Sequence, residues 1–182
     1  TWAPHDRPAK SDDDSVADDG SVVATCTNTM DCTEELQAAL DTCTPTVRIP
    51  ALPDGRSWVV RPIQVTCDGQ TLEFGAGAVL QAKRGEFHKG EGTVLFRIQN
   101  RSDVTVLGNG ATFRMWREDY GNPQLYNHSE GRHGVAIYGS RNVWIQQLTV
   151  TETGGDGVYL SNILGQLGAP NRNITLLDCN LT

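Results

Sequence analysis

Between Arg132 and Leu160 the chain reads RHGVAIYGSRNVWIQQLTVTETGGDGVYL, and one short alternation of apolar and polar positions occurs in it twice. Gly134-Val135-Ala136-Ile137 answers Gly157-Val158-Tyr159-Leu160. A second run, Val143-Trp144-Ile145, follows the first unit and recurs as Ile174-Thr175-Leu176 after the second. Earlier copies read Phe96-Arg97-Ile98 with Val104-Thr105-Val106, and Ile63-Gln64-Val65 with Leu72-Glu73-Phe74. Period-two alternation over such short runs predicts strands.

The runs also align. Leu72, Val104, Val143 and Ile174 fall in one column, and Phe74, Val106, Ile145 and Leu176 in the next. Val79, Ala111, Val150 and Leu181 share a third. Asp103, Asn142 and Asn173 each open a Val or Ile run, which marks a corner where the left-handed region is needed and side chains can stack. Repeats of this size predict a stack in which each unit buries its face against its neighbours. The fold expected is all-β: a right-handed parallel β-helix, or solenoid, with a short amino-terminal capping α-helix. Val135, Ile137, Val143, Ile145, Leu148, Val158, Leu160, Ile174 and Leu176 are the expected core.

The helix is predicted after Thr33, read as its cap, with Glu34 and Glu35 in the first turn and Leu36, Ala39 and Leu40 on one apolar face. Laid over an exposed end of the stack, it would cover unpaired strands and open core. Val47–Ile49 and Trp58–Val60 are the first strands expected. Residues 1–30 read as an irregular acidic lead-in, and 31–182 as the domain. Three insertions interrupt the repeat, at Lys83 to Thr93, Arg114 to Arg132 and Ser161 to Arg172. The last strand run stops at Thr182 with no capping repeat, so a fragment of a longer protein is expected, with an upstream piece removed before Thr1.

The net charge of −7 changes the picture only locally. Residues 1–35 hold nine acidic and two basic side chains, whereas 36–182 hold thirteen of each. The domain has no strong basic field, which excludes the usual electrostatics of nucleic-acid binding. No apolar run is long enough to span a membrane. Five cysteines occur, four of them in the first third, without CxxC pairs or histidines at zinc-site spacing. Disulfides around a cap in a secreted protein are expected, with Cys43 joined to Cys67 and Cys26 to Cys32, and Cys179 buried or paired elsewhere. Four Asn-x-Ser/Thr sequons, at Asn100, Asn127, Asn173 and Asn180, also point to secretion.

Candidate chemistry follows from the register. Arg132-His133-Gly134-Val135 lies over Gly155-Asp156-Gly157-Val158, so His133 and Asp156 occupy one position on consecutive repeats. An imidazole and a carboxylate about 4.8 Å apart can share a proton for acid or base work. Arg132 could face the carboxylate of an acidic sugar, and Tyr159 should point outward on the same surface. The 114–132 insertion carries Trp116, Arg117, Asp119 and Tyr120, a mixture of flat apolar faces and hydrogen-bonding groups that suits a sugar-binding rim. The competing structural reading makes Asp156 a cap for a sharp glycine corner, bridged by His133, with the aromatics tucked beneath an ordinary loop.

The helix and IPA segment, the DGQTLEFGAGAVLQA run and the VTVLGNGATF run resemble the amino-terminal part of the pectin-lyase-like β-helix superfamily, which includes polygalacturonases, pectate lyases and uronate epimerases. The resemblance covers about residues 30 to 182. Polygalacturonases carry Asn-Thr-Asp-Gly before a strand, with a catalytic Asp. Thr153-Gly154-Gly155-Asp156-Gly157-Val158 is similar in place, but Gly154 and Gly155 replace the Asn-Thr pair. The family's paired Asp, Gly-His-Gly and Arg-Ile-Lys motifs are not found.

The resemblance implies a secreted, monomeric enzyme acting on a polysaccharide with uronic acids, by hydrolysis, β-elimination or epimerisation. Hydrolysis needs a second carboxylate beside Asp156. Elimination needs a base and neutralisation of the uronate by Arg or Ca²⁺, for which Arg132, His133 and Asp156 suit, with Glu130 or Glu152 as ligands. No other cofactor is expected. The alternative is a non-catalytic glycan-binding or structural extracellular β-helix protein.

Overall fold

The computed structural model of the protein describes residues 19–88, 93–162 and 169–182. Most of the acidic lead-in and the centres of the first and third insertions lie outside the described residues. In chain order, β1 (Val22–Val23) precedes α1 (Thr33–Asp41), β2 (Thr46–Ile49), a 3-10 turn (Pro53–Gly55), β3 (Trp58–Val60), β4 (Ile63–Val65), β5 (Thr71–Phe74) and β6 (Val79–Ala82). Then come β7 (Phe96–Gln99), β8 (Ser102–Arg114), the one-turn α2 (Arg117–Tyr120), β9 (Val135–Tyr138), β10 (Arg141–Thr151), β11 (Val158–Ser161), β12 (Arg172–Leu177) and β13 (Asn180–Leu181). None of the described helices is long and apolar enough to cross a membrane.

The strands pair in parallel and fall into two sheets. One has nine strands, running β1-β2-β5-β8-β10-β12 with β3, β6 and β13 attached, and the other runs β11-β9-β7-β4. This corrects the closed solenoid expected from the sequence. β8 and β10 continue for 13 and 11 residues, so the first and third aligned columns run through single strands hydrogen-bonded into one sheet. The four-stranded sheet shares no ladder with it. The capping helix itself is present, with Leu36, Ala39 and Leu40 buried.

Its first turn differs from expectation. Thr33 is the first helical residue and Cys32 the cap position. The capping carboxylate comes from Asp31, which accepts the Thr33 N–H at 3.0 Å. Asp31 also holds Arg61 at 3.1 Å and Lys83 at 2.8 Å, tying the helix start to two later segments. β1 was illegible as a strand, being two residues long. It pairs Val22 with Val47 and Val23 with Arg48, and Arg48 reaches back to Asp19 at 2.6 Å.

The register follows the expected columns in the later repeats. Val143 pairs with Val104 and Ile174, and Ile145 with Val106 and Leu176. Two columns shift. Leu72 pairs with Val106, not Val104. Ala111 pairs with Leu148, Phe113 with Val150, and Val79 with Thr112. The cause of the second shift is an irregularity in which Gly108-Asn109-Gly110 of β8 stands opposite the single residue Gln147 of β10. A side chain at position 108 would lie 2.5 Å from the Gln147 carbonyl, so glycine is required by that close approach.

The expected corner stack is present. Asp103, Asn142 and Asn173 all have φ between 52° and 60°, in the left-handed region. Asn142 donates its amide to Asp103 Oδ1 at 2.8 Å, and Asn173 donates to Asn142 Oδ1 at 2.9 Å. Asn173 is thus a rung of a ladder, although it also heads a sequon.

The core lies between the sheets. Val47, Ile49, Leu72, Val104, Val143 and Ile145 face Ile63, Val65, Phe96, Ile98, Val135 and Ile137, all at most 1% exposed. Fully burying such a side chain contributes about 1.5–3 kcal/mol. Phe113 joins the two layers, edge-on to Phe74 at 5.1 Å and tilted against Phe96 at 5.2 Å. In the last repeat the expected core is less covered: Leu160 is 47% and Leu176 38% exposed. The disulfides are Cys26–Cys32 and Cys43–Cys67, as expected, and Cys179 is a half-buried free thiol.

Candidate functional site

β9 and β11 are neighbours in the four-stranded sheet, with Val135 opposite Val158 and Ile137 opposite Leu160. Backbone bonds extend that ladder upstream: the Gly134 N–H donates to the Asp156 carbonyl at 3.1 Å and Val135 N–H to Gly157 at 2.9 Å. This fixes His133 beside Asp156. Nδ1 of His133 accepts the Asp156 backbone N–H at 3.0 Å and lies 3.6 Å from Asp156 Oδ2. The imidazole lies flat on Tyr159, with ring centroids 4.3 Å apart and planes 4° from parallel. The Asp156 side chain is 62% exposed, whereas that of His133 is 9% exposed.

These contacts set the charge state. Burial lowers the His133 pKa from its ordinary value, and the Asp156 carboxylate only partly opposes that. Because Nδ1 accepts an N–H, the neutral ring carries its proton on Nε2. The imidazole is therefore a hydrogen-bond donor held in place by the backbone, and Asp156 presents an open carboxylate beside it.

The Gly154-Gly155 pair leaves room that a side chain would fill. A Cβ on Gly155 would fall 2.0 Å from the Glu130 carbonyl oxygen and 2.9 Å from His133 Nδ1. One on Gly154 would fall 2.8 Å from Tyr120 Cδ2. The 114–132 insertion presses onto the turn before Asp156, which explains why no side chain stands at the positions preceding it.

Arg132 departs from its expected role. It is 1% exposed and faces no solvent. Its guanidinium donates to the carbonyls of Phe87 at 2.8 Å, His88 at 2.9 Å, Asn127 at 2.9 Å and Ser129 at 3.4 Å. It also lies over the rings of Tyr120 and Tyr126, about 5 Å from each centroid. With four of its five N–H donors committed to two insertions and the group itself buried, Arg132 does not face an acidic sugar. It is the clamp that folds both insertions onto the sheet.

The expected binding rim is likewise folded inward in part. Asp119 is buried and bonded bidentately by Arg84, whose guanidinium holds its carboxyl below the usual range. Trp116 is half-buried, donates its indole N–H to the Ala82 carbonyl at 2.7 Å and is covered by Arg84 at 4.4 Å. Tyr120 is buried edge-on to Tyr126, and desolvation raises its hydroxyl pKa. Arg117 is exposed and anchored through Nε to the Thr153 carbonyl at 3.0 Å. Tyr159 is half-buried and packs edge-on to Tyr138. Arg84, absent from the sequence reading, closes this wall; its signal would have been a cation spaced to meet the buried Asp119.

Among the described residues, Cys26, Cys32 and Glu35 form a group with ligand atoms within 4.8 Å of one another. The two cysteines are joined as a disulfide, so neither is a thiolate ligand. Asp156, Glu130 and Glu152 form no such three-membered group.

No family model and no curated protein matches the chain. Among solved structures, it is similar to a "putative glycosyl hydrolase" from Parabacteroides merdae ATCC 43184, with a TM-score of 0.55 and 14% identity. The match covers 87% of this chain and 94% of that one. At this identity the likeness is one of fold.

Proposed function

We propose that this protein is an extracellular enzyme acting on a polysaccharide that contains uronic acids, with Asp156 as the group that handles a proton at the sugar. The observation that carries this reading is the His133–Asp156 pair. One carboxylate is exposed, and the neighbouring imidazole is kept neutral, stacked on Tyr159 and fixed with its proton on Nε2. In this reading Asp156 moves the proton, and His133 holds the Asp156 backbone through Nδ1 and donates from Nε2 to a sugar oxygen, so both touch the substrate. Hydrolysis, elimination and epimerisation all need a proton moved by a placed group of this kind. The name of the Parabacteroides structure supports glycan chemistry, the sequence resemblance to the pectin-lyase-like superfamily supports the uronate, and the two disulfides support an extracellular setting.

The test is turnover of uronate polysaccharides, read both as new reducing ends and as unsaturated product. Asp156→Asn keeps the volume and the backbone N–H. It should cut turnover by about two orders of magnitude or more while the melting temperature stays within a few degrees. Full activity in that variant would assign Asp156 to the glycine corner instead.

A further inference from the structure

Where the four-stranded sheet hands the chain over to the nine-stranded one, arginine recurs repeat after repeat. Arg101 immediately precedes β8, Arg141 opens β10 and Arg172 opens β12. Arg141 and Arg172 are direct partners on adjacent parallel strands, so their Cα atoms are about 4.8 Å apart. On its other side Arg141 is paired with Ser102, and its N–H donates to the Arg101 carbonyl at 3.0 Å, so Arg101 sits beside the pair, one residue out of register.

Like charges directly opposite one another destabilise a sheet. The described residues offer these three arginines one carboxylate, Asp68, at 3.8 Å from Arg101. Arg101 is otherwise committed, through Nε to the Gln99 carbonyl at 3.1 Å and Nη1 to the Thr66 carbonyl at 2.8 Å. Arg141 and Arg172 are exposed, and no acidic side chain among the described residues lies in ion-pair range of either. All three line a groove of about 240 Å³, in which Gly139 contributes no side chain. The surplus is local, since residues 36–182 carry equal numbers of acidic and basic side chains.

We propose that this groove binds the carboxylate or sulfate of an acidic saccharide between Arg141 and Arg172. A guanidinium fork meets a planar or tetrahedral oxyanion through two parallel N–H bonds, and an anion seated between two forks removes the repulsion that the register imposes. The volume falls below the roughly 300–1,000 Å³ of sites for drug-sized ligands, which suits a single sugar residue. That the anion belongs to a saccharide rests on the proposed function; the anion site itself does not. The groove lies past the carboxyl ends of β9 and β11, whereas His133 and Asp156 precede their amino ends, about 13 Å of strand away. The two sites can therefore be altered separately.

The test is calorimetric titration of the 182-residue chain at low ionic strength with tetragalacturonate, a sulfated disaccharide and neutral maltotetraose. Either acidic probe should bind and the neutral one should not; the order of the acidic two identifies carboxylate or sulfate as the anion. Arg141→Gln combined with Arg172→Gln should lower affinity for the acidic probe at least about tenfold. Arg172→Lys, which keeps the charge and loses the fork, should give an intermediate value. Asp156→Asn should retain binding even where it abolishes turnover, so loss of the catalytic reading leaves this one standing. Equal binding of the neutral probe, no binding of either acidic probe, or undiminished affinity in the double variant would overturn the proposal.

Discussion

The His133 imidazole accepts the backbone N–H of Asp156 at 3.0 Å, one repeat further along the chain. The bond orients the ring, selects the Nε2–H tautomer and ties the turn before β11 to the turn before β9. Protonating Nδ1 would break it, which adds to the burial that already lowers the His133 pKa.

The sign of the resulting pH dependence is fixed. An unfolded histidine takes up its proton near pH 6.5, whereas the folded one resists it. Stability is therefore fully present above about pH 6.5 and falls as pH drops below that value toward the folded pKa. Nitrogen NMR of the imidazole should show the Nε2–H form at pH 7 and a midpoint below 6.5. In Asp156→Asn the midpoint should move lower still, since the carboxylate is the one influence that raises it. A midpoint above 6.5 in the native protein would remove the neutral-donor role.

Arg132 should prove a stability residue. Removing a buried cation bonded to four carbonyls leaves those acceptors without partners, and each acceptor left buried and unsatisfied costs about 1–3 kcal/mol. Arg132→Ala should lower the urea midpoint accordingly and expose the Tyr120 and Tyr126 rings to solvent quenchers. Arg132→Lys keeps the charge but not the fork and should fall between. An alanine variant with native stability and lost substrate binding would restore the expected sugar contact.

Much of this arrangement was legible in the sequence, for a simple physical reason. The alternation that placed Val135 over Val158 records burial, and burial on one face fixes strand register. The same register placed His133 beside Asp156, and the left-handed corner of Asp103, Asn142 and Asn173 was readable from residue type. Three features were not. The column shift at Gln147 depends on three residues facing one, which periodicity averages away. The fate of Arg132 depends on carbonyls of Phe87 and His88, 45 and 44 positions back. The sheet arrangement depends on whether β8 continues through Gly108-Asn109-Gly110 and β10 through Gln147, and alternation is the same either way.

Asp31 provides an acid-side check at the other end of the molecule. Burial alone would raise its pKa, but hydrogen bonds from Lys83 and Thr33 and the charge of Arg61 outweigh that and hold it at about 2. Its contribution is present above the ordinary carboxylate range near 3.8 and is lost as pH falls through about 2. Asp31→Asn should cost about 2 kcal/mol at pH 7 and almost nothing at pH 2, measured by urea unfolding. Equal losses at both pH values would mean that the residue serves only as the cap of α1.

Gly155 is the most direct test of how the site is built. Its φ lies outside the left-handed region, so alanine meets no backbone penalty there; the obstacle is space. The new Cβ would sit 2.0 Å from the Glu130 carbonyl oxygen and 2.9 Å from His133 Nδ1. The first neighbour is backbone, held by the insertion that Arg132 clamps, so the turn must move rather than a flexible side chain. Overpacking of this kind costs about 1–3 kcal/mol. The displacement should also stretch the bond between Asp156 N–H and His133, releasing the ring and raising its titration midpoint toward 6.5. Gly154→Ala presses instead on the Tyr120 ring at 2.8 Å and should cost stability without moving that midpoint. Paired measurement of unfolding free energy and imidazole titration on the two variants separates a turn that merely packs from one that positions the histidine. If both variants lose stability and neither shifts the titration, the Gly154-Gly155 turn serves packing alone.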